Sequence, residues 1–379
     1  RVYIGHIRDY GDIALTGVGV TFPIIMLISA FSAFAGMGGA PLASIELGKK
    51  DIRKAELILG NSAGMIVLFS IVLTIGFSIF KRPVLYAFGA SDATIGYAES
   101  YVAIYLVGTI FVQTAIGLNT FISGQGESKI AMLSVVIGAV LNICLDPLLI
   151  FVLGMGVRGA AVATVISQAV SAAWVLRFLT SKRSVMKLKP ANMRLKRDIV
   201  KQIASLGISP FIMQCTESMV SITLNSGLQK YGGDLYVGTM SIMTSIMQLL
   251  LIPAQGISQG VQPIISYSYG AGDKKRVKDT FIRLVAAGLL GTLNLGGAAV
   301  LVPEIYAGIF TNNQELIELT CKVMPVYFLG ITIFGLQSAC QSTFLALGQA
   351  KVSLFIALLR KVILLIPLAL IFPRFMGVM

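Results

Sequence analysis

Charge is what this sequence has least of. Only 12% of its 379 residues are Asp, Glu, Lys or Arg, against 56% hydrophobic, and its mean hydropathy is +0.84. Soluble domains carry about 25% charged residues, so a polytopic membrane protein is indicated. Histidine is almost missing. His6 is the single one, which rules out His-rich metal and triad chemistry. The four cysteines, Cys144, Cys215, Cys321 and Cys340, all fall in apolar runs and read as buried thiols, not disulfides. There is no Gly-x-x-x-x-Gly-Lys-[Ser/Thr]; Gly124–Lys129 and Gly270–Asp273 are turn sequences without that spacing. The chain therefore holds no nucleotide site for a primary pump. Lacking a catalytic cluster, it is read as no enzyme.

What is present is apolar and long. Ten runs reach the roughly 20 residues that a bilayer crossing needs: 14–35, 57–80, 97–122, 130–154, 159–179, 202–228, 237–265, 280–302, 317–346 and 352–373. The net charge of +13 at first suggests nucleic acid, but the basic residues sit in short loops between runs. Loops 36–56, 123–129, 180–201, 266–279 and 347–351 hold 18 of the 30 Lys and Arg, and the opposite-side segments hold 7. The first set is cytoplasmic by the positive-inside rule. The densest is 180–201, with Lys182, Arg183, Lys187, Lys189, Arg194, Lys196, Arg197 and Lys201. It reads as a basic cytoplasmic linker (181–201) over anionic lipid, joining residues 1–180 to residues 202–379.

Those two parts repeat each other. At an offset of 222, Gly38-x-x-Pro41-x-x-Ser44-x-x-x-Gly48-x-x-Asp51 matches Gly260-x-x-Pro263-x-x-Ser266-x-x-x-Gly270-x-x-Asp273. The same offset pairs Gly126 with Gly348 and Lys129 with Lys351. Because the offset spans six runs, an even number, the halves share one orientation, a parallel repeat. The expected fold is an all-α membrane protein of two six-helix bundles related by a parallel pseudo-twofold repeat. Ten complete helices are expected here, with most of the first and all of the last missing.

Two acids lie deep in the runs. Asp146 has Asn142 four residues before it, on one helical face, and Pro147 after it. An Asp at a helix centre costs roughly 2.5–3.5 kcal/mol in insertion scales. It reads either as an ion or proton site or as the N-cap of a helix restarted at Pro147. Glu217 is an ion site or a carboxyl bonded to Gln214 or Ser221. Tyr101 shares a face with Tyr105, and membrane-belt anchoring is its competing reading. Thr164 bonds its own helix or a neighbour. Arg360 and Lys361, nearer the cytoplasm, are expected to snorkel. Run seven carries Met243, Met247, Gln248 and Gln255, either helix packing or an adaptable drug surface.

The chain resembles the multidrug and toxic compound extrusion (MATE) family. The markers are Tyr3-Ile4-Gly5-His6, Gly38-Gly39-Ala40-Pro41, Gln125-Gly126, Asn142-x-x-x-Asp146-Pro147 and Gly154-Met155-Gly156-Val157-Arg158-Gly159 through Thr164. In the second half they are Pro210 with Glu217, Gln262-Pro263 and Gly270-Ala271-Gly272-Asp273. The resemblance implies two bundles around a cavity that opens alternately to each side. It implies export of lipophilic, often cationic compounds in exchange for H⁺ or Na⁺, with no other cofactor. In one prokaryotic branch an N-terminal network binds the coupling ion. Asn142, Asp146, Thr164 and Tyr101 match it, and a further acid belongs just upstream of Arg1. Another branch uses an acid matching Glu217 with an Asp near Ser338, Ala339 and Cys340, where this chain has none. That departure shifts weight to the N-terminal bundle. The expected partners are small organic cations and the lipid bilayer, not nucleic acid. The expected state is a monomer in the cell inner membrane. The runner-up is a lipid-linked oligosaccharide flippase, which needs a cationic cavity; here the deep ionisable groups are mainly acidic.

Overall fold

The computed structural model describes residues 2–5, 11–308, 314–369 and 371. His6 and the side chain of Lys361 lie outside the described residues. Among them every regular element is helical. The order is α1 (Gly11–Val20), α2 (Phe22–Gly48), α3 (Ile52–Ala87), α4 (Ile95–Val107), α5 (Thr109–Gly124), α6 (Ser128–Pro147), α7 (Gly156–Thr180), α8 (Arg197–Gly270), α9 (Lys274–Leu301), α10 (Gln314–Ala346) and α11 (Ala350–Leu358). Wider π-helical turns continue α6 over Leu148–Val152 and α11 over Leu359–Leu365. Among the described residues six helices are long and apolar enough to cross a bilayer, or seven if α4 and α5 form one span bent by 58°.

The apolar runs become these helices, with shifted ends. Run 14–35 breaks at Thr21 and continues to Gly48, since the Gly- and Ala-rich stretch 36–48 stays helical and largely buried. Low hydropathy there reflects small side chains that let helices approach, not a loop. Run 97–122 bends at Gly108. Runs 202–228 and 237–265 fall in one helical stretch, α8, whose 74 residues are more than enough for two crossings.

Two compact units result, Arg1–Cys215 and Thr216–Met379. The first holds two apolar clusters. One gathers Leu59, Ile66, Phe121, Leu179 and Met186, the other Ile24, Ile28, Tyr105, Leu106 and Ile150. On α3 the residues Leu68, Ile71, Val72, Ile75 and Ile79 are exposed, the helical stripe expected to face lipid.

The repeat reappears in local bonding within each unit. Ser44 Oγ donates to Gly124 O at 2.7 Å, and Ser266 Oγ to Ala346 O at 2.9 Å. Asp51 caps α3 by accepting from Lys54 N, and Asp273 caps α9 by accepting from Arg276 N, both at 2.9 Å. Gly126 and Gly348 both take positive φ, 94° and 72°. Each pair keeps the offset of 222.

Segment 181–196 is not a loose tether. It lies on the first unit as a strap. Gln125 Oε1 accepts from Val185 N at 2.9 Å, Met186 N at 3.2 Å and Ser184 Oγ at 3.1 Å. Buried Glu56 accepts from Lys187 N at 3.2 Å and pairs with the Lys189 ammonium. Asn61 donates to Asn192 O at 3.3 Å and accepts from Lys196 N at 2.7 Å. Gly60 makes this docking possible, because a Cβ there would sit 2.5 Å from Asn192 O.

Candidate ion-coupling site

The site grows out of the packing of α6 on α7. Met132, Val135, Val136, Val140 and Ile143 leave one side of α6 exposed. Ala131, Ser134 and Gly138 bury the other. A Cβ on Gly138 would lie 2.3 Å from Ser171 Oγ, and Ser171 Oγ donates to Ser134 O at 2.8 Å. Small residues and one hydroxyl thus draw the two helices together. Asn142 and Asp146 extend the buried stripe by one and two turns. On α7, Thr164 and Ser167 extend the stripe of Ser171. The packing therefore brings Asn142 and Thr164 face to face.

The three polar groups converge loosely. Asn142 Nδ2 lies 3.4 Å from Asp146 Oδ1 and 3.5 Å from Thr164 Oγ1. Thr164 Oγ1 also donates to Ala160 O at 2.9 Å. The two amide contacts exceed the usual 2.7–3.2 Å, so the carboxylate is tethered but not saturated. Asp146 is only 9% exposed. Beside it the backbone changes. Pro147 supplies no N–H, and the following turn is π-helical, closed by Leu153 N on Leu148 O at 2.9 Å. A π turn beside a buried acid is a frequent mark of a working site. Gly154 and Gly156 then take φ of 64° and 55° to start α7. Asp146 sits within the last turn of α6 and continues the helix, so it is not the N-cap that the Pro147 sequence also allowed.

Tyr101 is buried, not a belt residue. It stacks on Tyr105 with ring centroids 6.2 Å apart and 16° between planes. Both belong to the apolar cluster that includes Ile150, Val157 and Ala160, which border the polar group on α6 and α7. Among the described residues no three His, Cys, Asp or Glu converge to hold a metal ion. The oxygens available to a small cation here are one carboxylate, one amide and one hydroxyl.

In the second unit Glu217 is exposed and Thr216 beside it buried. Its charge acts on both Arg360 and Tyr327. Arg360 corrects an expectation. It does not snorkel; its guanidinium donates to Gln337 Oε1 and lies over the Phe334 ring, 5.4 Å from the centroid. An amide and an aromatic face hold the cation inside the unit, which a snorkelling head would not need.

The four run-seven residues separate. Met243 is 1% exposed and packs with Ile246, Leu250, Met324 and Phe328. Met247 is half-buried and accepts from Tyr327 Oη at 3.4 Å. Gln248 and Gln255 stand exposed, two turns apart on one stripe. Sequence reasoning missed Gln113, wholly buried between Ser70 Oγ (2.9 Å) and Ile28 O (3.4 Å). It also missed Glu56 and Asn61 as anchors of the strap. Their signal was a polar side chain at the rim of an apolar run, whereas Asp146 was singled out by its depth in one.

The MatE family profile matches residues 2–148 and 210–371, most of the chain. The chain belongs to the MATE family of membrane transporters. It is similar to the multidrug export protein MepA of Staphylococcus haemolyticus (strain JCSC1435), 24% identical over 352 residues, covering 93% of this chain and 77% of that protein. The MepA of Staphylococcus aureus (strain NCTC 8325 / PS 47) is 24% identical over 370 residues, covering 96% and 80%. Among solved structures, the MATE multidrug transporter DinF-BH is 33% identical with a TM-score of 0.91, covering 100% of this chain and 84% of that one. A MATE family transporter in an outward-facing conformation superposes with a TM-score of 0.92 at 22% identity, covering 100% and 84%; at that identity the likeness shows the fold alone. The MATE fold and a transport role, not an enzymatic one, follow from the family.

Proposed function

We propose that this MATE protein is a secondary antiporter of the cell inner membrane that exports lipophilic, often cationic compounds in exchange for H⁺ or Na⁺ by alternating access. The observation that carries the coupling is Asp146: a carboxyl buried between two helices, tethered by Asn142 and Thr164 and followed by a π turn. The names of the MepA proteins and of DinF-BH support multidrug compounds as the substrate class. Ion entry neutralises Asp146 and lets the amide and hydroxyl close on it; ion loss restores a charge that burial disfavours. Two packings of α6 on α7 then differ in energy with the ion bound or absent, and the cargo selects between them. Tyr101 lines the packing beside this switch. Glu217, opposed by Arg360, is the competing ion site in the second unit. Met247, Gln248 and Gln255, with Met243 supporting them, are the proposed substrate contacts, and the chain is proposed to act as a monomer.

The test is proton release from energised everted vesicles on adding an organic cation dye. Asp146→Asn should abolish the release while the protein remains in the membrane. Glu217→Gln should leave at least half of it. Full release in Asp146→Asn would sink the coupling role, and a requirement for Na⁺ would identify the ion.

A further inference from the structure

α4 and α5 form one span bent by 58° around Gly108, and each arm is held by different partners. α5 is locked at Gln113, between Ser70 Oγ at 2.9 Å and Ile28 O at 3.4 Å. α4 is tied to α3 at two places. Lys81 Nζ pairs with Glu99 Oε1 at 2.8 Å, and Thr74 Oγ1 donates to Leu106 O at 3.0 Å. Thr74 and Lys81 are seven residues apart, and so are Leu106 and Glu99. The two ties therefore lie two turns apart along an antiparallel pair. Tyr101 and Tyr105 fall between them.

The Thr74 bond goes where a helical hydroxyl seldom sends its proton. Such a group commonly bonds its own helix four residues back, as Ser29, Ser32 and Ser70 do here. Thr74 donates to another helix, at the point where that helix stops. α4 ends at Val107, so its last carbonyls lose their regular partners. Gly108 N reaches Ile104 O only at 3.4 Å, and α5 starts afresh with Phe111 N and Val112 N on Gly108 O. A bare carbonyl at membrane depth is costly, and the Thr74 hydroxyl covers that of Leu106. On α7 the fit depends on a missing side chain. A Cβ on Gly108 would sit 2.5 Å from Val165 Cγ2, and Val165 follows Thr164 in the chain. A hydroxyl from α3 and close contact with α7 thus fix the bend between them.

What the bend carries is Tyr101. This residue shares its apolar cluster with Ala160, whose carbonyl accepts from Thr164 Oγ1. The repeat separates this role from plain helix packing. At the offset of 222 the glycine is kept, as Gly330, but Thr74 becomes Gly296, Tyr101 becomes Val323 and Asp146 becomes Leu368. The hydroxyl, the phenol and the carboxyl stand together in one unit, and the other has none of them at the equivalent positions. A hydroxyl that only joined two helices would serve either unit equally.

We propose that Thr74 and Gly108 are positioning residues for the ion site: together they set the bend that holds Tyr101 beside the polar group of α6 and α7. This rests on the assignment of coupling to Asp146 made above. A relaxed bend withdraws Tyr101 and lets water reach the carboxylate, so more ion is needed to fill the site. Dye uptake by everted vesicles tests this, measured against luminal H⁺ and Na⁺ and, separately, against dye concentration. Thr74→Val keeps the shape and removes the donor. It should raise the ion concentration at half-maximal uptake about fivefold, the worth of one hydrogen bond, and leave the dye concentration at half-saturation unchanged. Thr74→Ser should restore the wild-type ion dependence. Gly108→Ala should shift that dependence in the same direction. Adding Val165→Ala, which removes the two methyl groups that the new Cβ meets, should reverse the shift. In a Tyr101→Ala background Thr74→Val should add less than about twofold, because it acts through the ring. Wild-type ion dependence in Thr74→Val would overturn the proposal, as would equal shifts for ion and dye. So would a full effect of Thr74→Val on top of Tyr101→Ala. Coupled uptake retained by Asp146→Asn would instead strike the assignment beneath the proposal, and both would fall together.

Discussion

Gly138 shows how closely the meeting of Asn142 with Thr164 depends on one missing side chain. A Cβ there would meet Ser171 Oγ at 2.3 Å, and the hydroxyl bonded to Ser134 O would have to leave. Gly138→Val should destabilise the protein by about 1–3 kcal/mol, as overpacking does, read as a lower melting temperature in detergent. It should also weaken coupling by spreading α6 from α7. Thr164 separates packing from chemistry. Thr164→Ser keeps an oxygen near Asn142 Nδ2 and should retain ion-dependent transport. Thr164→Val keeps the shape, removes the oxygen and should lower transport severalfold in the same vesicles. Equal transport by the two variants would remove Thr164 from the site.

At the scale of elements the strap is the least expected feature. Its dense Lys and Arg read as orientation charge, and most of those heads are indeed exposed. Apart from Lys189 on Glu56, the anchoring is done by backbone groups, by the Ser184 hydroxyl and by Met186, which carry no sign of their role in composition. Met186→Ala removes a side chain with no exposure and should cost roughly 2–5 kcal/mol. Faster tryptic cleavage at Lys187 and Lys189 in the folded protein would report the loosened strap. By contrast, the pairing of Asn142 with Asp146 was legible, because i, i+4 spacing in a helix needs no tertiary knowledge. Thr164 entered through the family resemblance, and only the small-residue stripes on α6 and α7 explain why it reaches Asn142. Helix ends were illegible wherever packing, not hydropathy, sets them. The stretch 36–48 is helical through small residues, and α3 runs from Ile52 to Ala87, beyond its run at both ends. Arg360 was misread because its partners Gln337 and Phe334 come from another helix.

For the whole molecule, the asymmetry of the repeat matters more than its symmetry. Both units keep the capped turn and the serine bond at equivalent positions, so the duplication was legible from Gly38–Asp51 and Gly260–Asp273. Their polar interiors have diverged: Asp146 corresponds to Leu368, and Gln113 to Gly335. Orientation is likewise a property of the whole chain. A maleimide too large to cross the bilayer should label Lys182→Cys in everted vesicles and not in right-side-out ones. Labelling in right-side-out vesicles alone would reverse the charge-based assignment.

The docked strap also bears on how the protein is made. Met186 is part of one of the first unit's apolar clusters, and the last anchor, Lys196 N on Asn61, lies one residue before α8 begins. During synthesis that core stays open until residue 196 has left the ribosome, after α7 has entered the membrane. Chains arrested shortly before Ser184 should therefore be protease-sensitive and prone to capture by quality control. Chains arrested some forty residues beyond Lys196, about the length a ribosome tunnel hides, should resist protease, because domains fold as units while the chain is still being made. The joint between the halves is thus the closing stitch of the first.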